Sequence, residues 1–168
     1  TFTGTLGETV KVVGLGEKSH VKAEDLRKSI AKIFKAAKAE KHSSMSFDFM
    51  SFDVLGDSAK AAAVIAEAIG MSDYSFDKYL SKKSPSNLKE VLLSNFDKKK
   101  EANIKKSLEA TQPIIEAIHV VRDFVNEVPN VLRSTEYAKL IEADVKKNLK
   151  GVKVKILNKA QIQKEKMG

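Results

Sequence analysis

Apolar residues along the chain follow two spacings, one typical of strands and one typical of helices. Stretches rich in β-branched and aromatic residues occur at Thr9–Leu15, Phe47–Val54 and Leu88–Leu93. Segments with apolar residues three and four positions apart lie between them, at Lys22–Glu40 and Ser58–Ile69. Strands that alternate with helices of this length are typical of a sheet covered by helices. Residues 1–100 are therefore predicted to form an α/β domain.

Capping residues set the expected limits of the second of these helices. Asp57 or Ser58 can accept hydrogen bonds from the first free amides, and Gly70 can adopt the left-handed conformation that commonly ends a helix. The alanine-rich surface between them carries Val64, Ile65 and Ile69. We expect this helix to begin at Ser58, to stop at Gly70 and to pack closely against a sheet.

A long helical stretch follows from about Lys98 to Glu127 and contains Pro113. Proline inside a helix costs about 3 kcal/mol, so we expect a kink or the meeting of two helices there. Beyond Pro113 the stretch is apolar on more than one side, which is typical of a helix between two layers. One row comprises Ile114, Ile118, Val121 and Val125; off that row lie Ile115, Val120 and Phe124.

The remaining residues predict another α-β-α group. Ser134 or Thr135 is expected to cap a helix that ends before Gly151, Val152–Leu157 is expected to be a strand, and Asn158 to cap a last helix reaching Met167. Three regions result: residues 1–100 as an α/β domain with an incomplete front, residues 101–128 as a linking helix, and residues 129–168 as the truncated start of a second α/β domain.

Composition narrows the possible partners. The formal charge is +8, but nearly all of it is lysine, with arginine only at positions 27, 122 and 133. Arginine is the residue that grips phosphates and guanine edges, so this balance favours a solvated surface over specific nucleic-acid recognition. The chain has no cysteine, which excludes disulfides and thiolate metal sites. No secretory segment or membrane-length apolar run occurs, so we expect a soluble cytoplasmic protein without a membrane partner.

Candidate chemistry is sparse. Gly14-Leu15-Gly16 after a strand lacks the third glycine of a dinucleotide-binding turn, which favours a plain turn. Glu116 and His119 have the spacing of an iron or manganese ligand pair in a helix bundle, but such a site needs a second pair and two further glutamates. A packed or hydrogen-bonded His119 is the simpler interpretation, and His20 and His42 have no second ligand nearby in sequence. From the residues alone, no catalytic, cofactor-binding or metal-binding residue is identified.

Three passages resemble landmarks of the leucyl aminopeptidases, the M17 family of metallopeptidases, in the family's order. Gly7-Glu8-Thr9 and Val13-Gly14-Leu15-Gly16 are similar to its G-E-T and V-G-L-G segments, and the stretch from Tyr74 to Lys83 is similar to its Y-x-F-D-x-Y-x-S-K-K segment. The third passage resembles the R-D-x-V-N-x-x-P-N junction through which the N-terminal domain enters the catalytic domain. Its residues here are Arg122, Asp123, Asn126, Pro129 and Asn130.

The resemblance implies a three-layer, macro-domain-like N-terminal domain, a long linking helix and the first elements of a second domain. The parent enzyme would be a cytoplasmic homohexamer that releases N-terminal residues, preferentially leucine, from peptides by means of two divalent ions, zinc or manganese. In this family the metal-binding and catalytic residues follow the point where this chain stops, so no catalytic role is carried onto any residue here. The chain alone is expected to be inactive.

Two departures and two alternatives accompany the resemblance. The family has a further strand and helix before the G-E-T segment, and more residues between that segment and V-G-L-G than are found here. The alternatives are a basic α/β module that binds nucleic acid and a domain that binds a nucleotide-type ligand such as ADP-ribose. In addition, the apolar linking helix predicts that the isolated chain self-associates through exposed surface.

Overall fold

A computed structural model describes residues 2–3, 9–83 and 86–167 of the chain. Gly7 and Glu8 of the first landmark lie outside the described residues. The chain divides into two compact units, Thr1–Arg122 and Asp123–Gly168. No described helix is long and apolar enough to cross a membrane.

The first unit alternates strands and helices as expected, and the α/β class is confirmed. A short antiparallel pair, β1 (Phe2–Thr3) and β2 (Thr9–Val10), precedes the helix α1 (Ala23–Ala39). The elements that follow are β3 (Ser44–Asp48), the single turn α2 (Phe49–Phe52), α3 (Ser58–Asp73), β4 (Glu90–Ser94) and α4 (Glu101–Asn126).

Strands β3 and β4 form a parallel pair whose register runs from Ser44 opposite Glu90 to Asp48 opposite Ser94. Alternate side chains of a strand point to opposite faces, and only one face of this pair turns inward. That face carries Met45, Phe47, Val91 and Leu93 into the core, whereas Ser44, Ser46 and Leu92 are exposed.

The core lies between this face and the helices. Its fully buried side chains come from each layer: Leu26 and Ile30 of α1, Phe47 and Phe49 around the end of β3, and Ala61, Ala62 and Ile65 of α3. Alanines on α3 let α1 approach closely, and Arg27 of α1 donates two hydrogen bonds to Glu67 of α3 at 2.7 and 2.9 Å. Ile104 brings the first half of α4 into the same core.

Two predicted strands differ from the structure at their ends. Of Thr9–Leu15 only Thr9 and Val10 are paired, because the described residues offer no partner for the rest, although Leu15 packs against the core. Phe47–Val54 is wrong as a single strand, since the backbone turns helical at Phe49. This turn keeps Phe49 buried and brings the ring of Phe52 to 5.3 Å from that of Phe47, so the phenylalanines share one core.

Helix α3 begins where predicted but does not stop at Gly70. Asp57 accepts hydrogen bonds from the amides of Ala59 and Lys60, which makes it the N-terminal cap. The helix then continues through Gly70 to Asp73. A Cβ at Gly70 would lie 2.5 Å from Cγ2 of Ile115 in α4, so this glycine permits close helix packing rather than a helix end.

Helix α4 is a single helix with Pro113 inside it, so of the two alternatives the meeting of two helices is wrong and a kink at Pro113 stays a prediction. Proline frees the carbonyl four residues earlier, here that of Glu109. Because Glu109 and Pro113 are both exposed, water can satisfy that carbonyl. The first half of α4 is held to α3 by Ser107, whose hydroxyl donates to the carbonyl of Ala59 at 2.6 Å.

The second unit contains the end of α4 and two further helices, α5 (Ser134–Asn148) and α6 (Lys159–Lys164). The rings of Phe124 and Tyr137 meet edge to face at 5.1 Å. Asn158 caps α6 as predicted, but Arg133 occupies the cap position of α5 and no side chain caps that helix. The strand predicted at Val152–Leu157 is wrong: within the described residues no strand lies beside it, so its backbone has no ladder to join.

Candidate functional site

The junction predicted from sequence lies at the end of α4. Arg122, Asp123 and Asn126 belong to the last turns of the helix, and Pro129 and Asn130 form the turn that follows. Asp123 and Asn126 lie in the second unit, whereas Arg122 is the last residue of the first. The side-chain contacts of Arg122 therefore show what this junction does inside the first unit.

Arg122 and His119 together cap the C-terminal end of α3. The last carbonyls of a helix have no partner within it and carry partial negative charge. Nε2 of His119 lies 2.9 Å from the carbonyl oxygen of Gly70, which requires that nitrogen to carry the proton. The guanidinium of Arg122 donates to the carbonyl oxygen of Met71 at 2.9 Å. Both side chains thus satisfy carbonyls that α3 leaves free.

Tyr74, the first residue after α3, completes this arrangement. The guanidinium carbon of Arg122 lies 3.9 Å from the centre of its ring, a cation–π geometry. The ring of His119 lies 5.3 Å away on a tilted plane. We call Tyr74, His119 and Arg122 the α3 cap. Tyr74 opens the second landmark and Arg122 opens the third, so two segments far apart in sequence meet here.

The candidate metal pair is occupied by other contacts. His119 serves in the α3 cap, and the exposed carboxylate of Glu116 accepts a hydrogen bond from Gln112 at 2.8 Å. His20 pairs with Glu17 at 3.3 Å and His42 with Glu40 at 3.0 Å. Among the residues that the structure describes, no three histidine or acidic side chains converge in a way that could hold a metal ion.

The glycines of Gly14-Leu15-Gly16 do not form a close approach. A Cβ at Gly14 or Gly16 would meet no atom within 4 Å, and Gly16 has a φ of +85°. Glycine at position 16 is therefore explained by its left-handed backbone conformation. Residues 11–17, which include these glycines, form an irregular segment between β2 and a short 3-10 helix at Lys18–His20.

Sequence reasoning missed two polar groups at the ends of β3 and α2. The carboxylate of Asp48 accepts hydrogen bonds from Ser51 and from Asn95, which lower its pKa below the ordinary value. Asp53 accepts a hydrogen bond from the buried Ser58, whose oxygen lies 2.9 Å from Nζ of Lys100. Asn95 and Lys100 lie far along the chain from Asp48 and Ser58, and only the fold brings them together. Each of these two groups connects a loop to the end of a helix.

A third acidic group, Glu40, lies at the end of α1. Hydrogen bonds from Lys11 and then His42 lower the pKa of Glu40. The contact with Lys11 holds the segment after β2 against α1, beside a cavity of about 520 Å³ that is lined by residues of β2, α1 and β3.

Comparison with known proteins identifies the family. Residues 2–83 match the N-terminal domain of the cytosol aminopeptidase family. The chain is 30% identical over 164 residues to a probable cytosol aminopeptidase of Sulfurihydrogenibium, covering 95% of this chain and 31% of that protein. It is 32% identical over 176 residues to one from Clostridium tetani, covering 96% and 35%. The chain thus spans about a third of the length of the curated relatives it matches.

Solved structures share the fold. A mutant of tomato leucine aminopeptidase superposes with a TM-score of 0.73 at 17% identity, over 93% of this chain and 31% of that one. The bottromycin maturation enzyme BotP superposes with a TM-score of 0.69 at 24% identity, over 90% and 31%. The sequence matches and the shared fold agree, and the family expected from the three landmarks is confirmed: this chain belongs to the cytosol aminopeptidase family and contains its N-terminal domain.

Proposed function

We propose that this chain is the non-catalytic N-terminal part of a leucyl aminopeptidase, an exopeptidase that releases N-terminal residues, preferentially leucine, from peptides. The observation that carries the proposal is the match of residues 2–83 to the N-terminal domain of the family. The curated relatives match nearly the whole of this chain, are each about three times as long as the stretch they match, and are named as probable cytosol aminopeptidases. The nucleic-acid and nucleotide alternatives have no comparable support.

The proposal assigns hydrolysis to residues beyond these 168. The α3 cap uses its histidine and arginine to hold two helices together, and Glu40 and Asp48 bind neighbouring side chains. We propose that the longer enzyme holds two divalent ions, zinc or manganese, which supply an activated water for peptide hydrolysis. The described residues do not offer a ligand set for such a pair, so no step of the reaction is placed on them.

Assembly and location belong to the same proposal. We propose that the longer protein is a cytoplasmic homohexamer in which this domain supports assembly. The names of the curated relatives support a cytoplasmic location. Sedimentation of the longer protein tests the hexamer, because a monomer at micromolar concentration would contradict it.

The test of function is hydrolysis of a leucine chromogenic amide with manganese or zinc added. We expect no turnover by the 168-residue chain, with its intact mass confirmed in the same sample, and metal-dependent turnover by the longer polypeptide that carries it. Turnover by the 168-residue chain would overturn its non-catalytic assignment. A longer polypeptide that is folded and metal-loaded but inactive on leucine, methionine and alanine amides would overturn the aminopeptidase assignment.

A further inference from the structure

A row of apolar side chains lies open along one side of α4 in the first unit. We call it the α4 strip; its residues are Pro113, Ile114, Ala117, Ile118 and Val121. Together with Arg122 they line a shallow depression of about 490 Å³. The side chains of Ile114 and Val121 are 52% and 59% exposed. Among the described residues no acidic side chain lines the depression, and the guanidinium of Arg122 is engaged with Tyr74 and Met71.

The opposite side of the same helix segment is already packed. Thr111 and Ile115 are buried, with Ile115 against Gly70 of α3, and His119 reaches the end of α3. The strip is therefore a second apolar side in addition to the one that holds α4 in place. A helix that is apolar on two sides is typical of a position between two layers.

We propose that the α4 strip is the docking face for the catalytic domain of the longer aminopeptidase, an inference that rests on the function proposed above. The matched relatives have about two-thirds of their length beyond the part that this chain covers. The second layer comes from that additional part of the polypeptide. Because the strip is lined by apolar side chains, the surface that packs on it is apolar rather than charged.

The size of the strip favours an occupant on the same polypeptide over a second copy of this chain. A stable interface between separate proteins uses about 20–30 residues on each side, far more than the strip provides. Two free chains must also lose translational and rotational freedom when they associate. A domain on the same polypeptide is held at high effective concentration, so a small apolar face is enough.

The spacing of the strip indicates the shape of its occupant. Ile114 lies three and four residues before Ala117 and Ile118, and these lie four and three residues before Val121, which places all four along roughly 10 Å of one helix side. Ala117 leaves a low point between the larger side chains, and small residues let a neighbouring element approach closely. A row of aliphatic side chains from a helix of the catalytic domain fits this surface as ridges fit grooves.

Thiol labelling tests this docking without relying on activity. The chain has no cysteine, so Val121→Cys introduces one thiol into it. Val12→Cys is the matched control, because Val12 is 73% exposed and lies away from the strip. Each variant is made in the 168-residue chain and in the longer polypeptide, alkylated with iodoacetamide at submicromolar concentration, and followed by mass spectrometry of the labelled peptide.

Both thiols should react at similar rates in the 168-residue chain. In the longer polypeptide we expect Val121→Cys to react at least about tenfold more slowly, because labelling then requires local opening, and Val12→Cys to be unchanged. Ile114→Cys provides a second position if Val121→Cys does not fold. Unchanged reactivity of both strip thiols in the longer polypeptide would overturn the proposal.

Two other outcomes are also decisive. A stable dimer of the 168-residue chain that persists at the submicromolar labelling concentration and protects the strip thiol would overturn the proposal and identify a second copy as the occupant, whereas weak association at higher protein and salt concentrations would not. A protected thiol in a longer polypeptide that has no aminopeptidase activity would uphold the docking and overturn the proposed function, so the two failures can be distinguished.

Discussion

At Gly70 the backbone of α3 lies against the side chain of Ile115 in α4. Replacing Gly70 by alanine would place a methyl group 2.5 Å from Cγ2 of Ile115, a β-branched side chain with little freedom to move. We expect Gly70→Ala to lower the free energy of unfolding by about 1–3 kcal/mol through overpacking, although alanine is the better helix former. Urea unfolding of the 168-residue chain measures it.

The control for this substitution is Gly14→Ala, because a Cβ at Gly14 would meet no atom within 4 Å and its φ is not positive. It should leave stability unchanged or raise it slightly. In the double variant Gly70→Ala with Ile115→Ala, the new methyl group occupies space that the isoleucine leaves. The combined loss should therefore be smaller than the sum of the two single losses, and simple additivity would contradict the proposed contact.

Arg122 opens the third landmark of the sequence and is also part of the α3 cap. Arg122→Ala removes the hydrogen bond to Met71 and the contact with Tyr74, and should cost about 1–2 kcal/mol of stability. Arg122→Lys should recover only part of this, because an ammonium lacks the planar group that stacks on the ring. Arg133→Ala, at an exposed position, is the control in the same unfolding experiment; an equal loss there would argue against the α3 cap.

Asp48 makes part of the stability depend on pH. Hydrogen bonds from Ser51 and Asn95 lower its pKa in the folded protein. The ionised carboxylate therefore stabilises the fold at pH values above the pKa of an unfolded aspartate, about 3.9. That contribution is lost as the pH falls through the lower pKa of the folded protein. Asp48→Asn should be less stable than the parent at pH 7, and the difference should narrow below about pH 4. A difference that stays constant in urea unfolding from pH 7 to pH 3 would contradict this explanation.

At the scale of elements, the first residues of the helices show which structural features can be predicted from the sequence and which cannot. Asp57, one of two candidate caps for α3, and Asn158, the predicted cap of α6, accept the expected amide hydrogen bonds, because capping depends on residues two or three positions away. Ser134 was a candidate on the same grounds, but the first turn of α5 begins at Ser134 itself, with Arg133 at the cap position. When a helix begins one residue earlier than predicted, the expected capping residue lies inside the first turn and its side chain no longer caps the helix.

Alanine substitution tests this difference between helix starts. Asp57→Ala should lower the free energy of unfolding by about 0.5–2 kcal/mol, because two amides of α3 lose their acceptor. Ser134→Ala should have an effect within about 0.5 kcal/mol, as expected for a surface position with no capping bond. Amide hydrogen exchange in the first turn of each helix measures both; a larger rise in exchange in α5 from Ser134→Ala than in α3 from Asp57→Ala would contradict the assignment.

The errors in the sequence prediction share a cause. Gly70 was interpreted as a helix end because glycine usually ends helices, but here it admits Ile115 from a helix about 45 residues later. Thr9–Leu15 and Val152–Leu157 have strand-like residues, yet a strand exists only where another strand pairs with it. Capping, amphipathic spacing and fold class were predictable because they depend on neighbours in sequence. Close helix approach, strand pairing and the α3 cap depend on residues that only the fold brings together.

At the scale of the whole molecule, two opposing properties meet: a net charge of +8 and an exposed apolar strip on α4. Like charges keep copies of the 168-residue chain apart at low ionic strength, whereas the strip favours contact. Salt screens the repulsion over a distance of about 10 Å at 0.1 M but does not weaken apolar contact. Self-association should therefore increase with salt, opposite to the salt dependence of a basic protein bound to nucleic acid.

The double variant Ile114→Asn with Val121→Asn tests whether the strip causes this behaviour. It should lower both the fluorescence of a bound hydrophobic dye and the salt-induced increase in sedimentation coefficient, because it removes two large, exposed apolar side chains of the strip. Val12→Asn makes the same change at an exposed valine outside the strip and should alter neither. If Val12→Asn reduces association as much as the double variant, the association comes from general surface apolarity. A parent chain that stays monomeric at all salt concentrations and binds no dye would show that the strip does not drive association on its own.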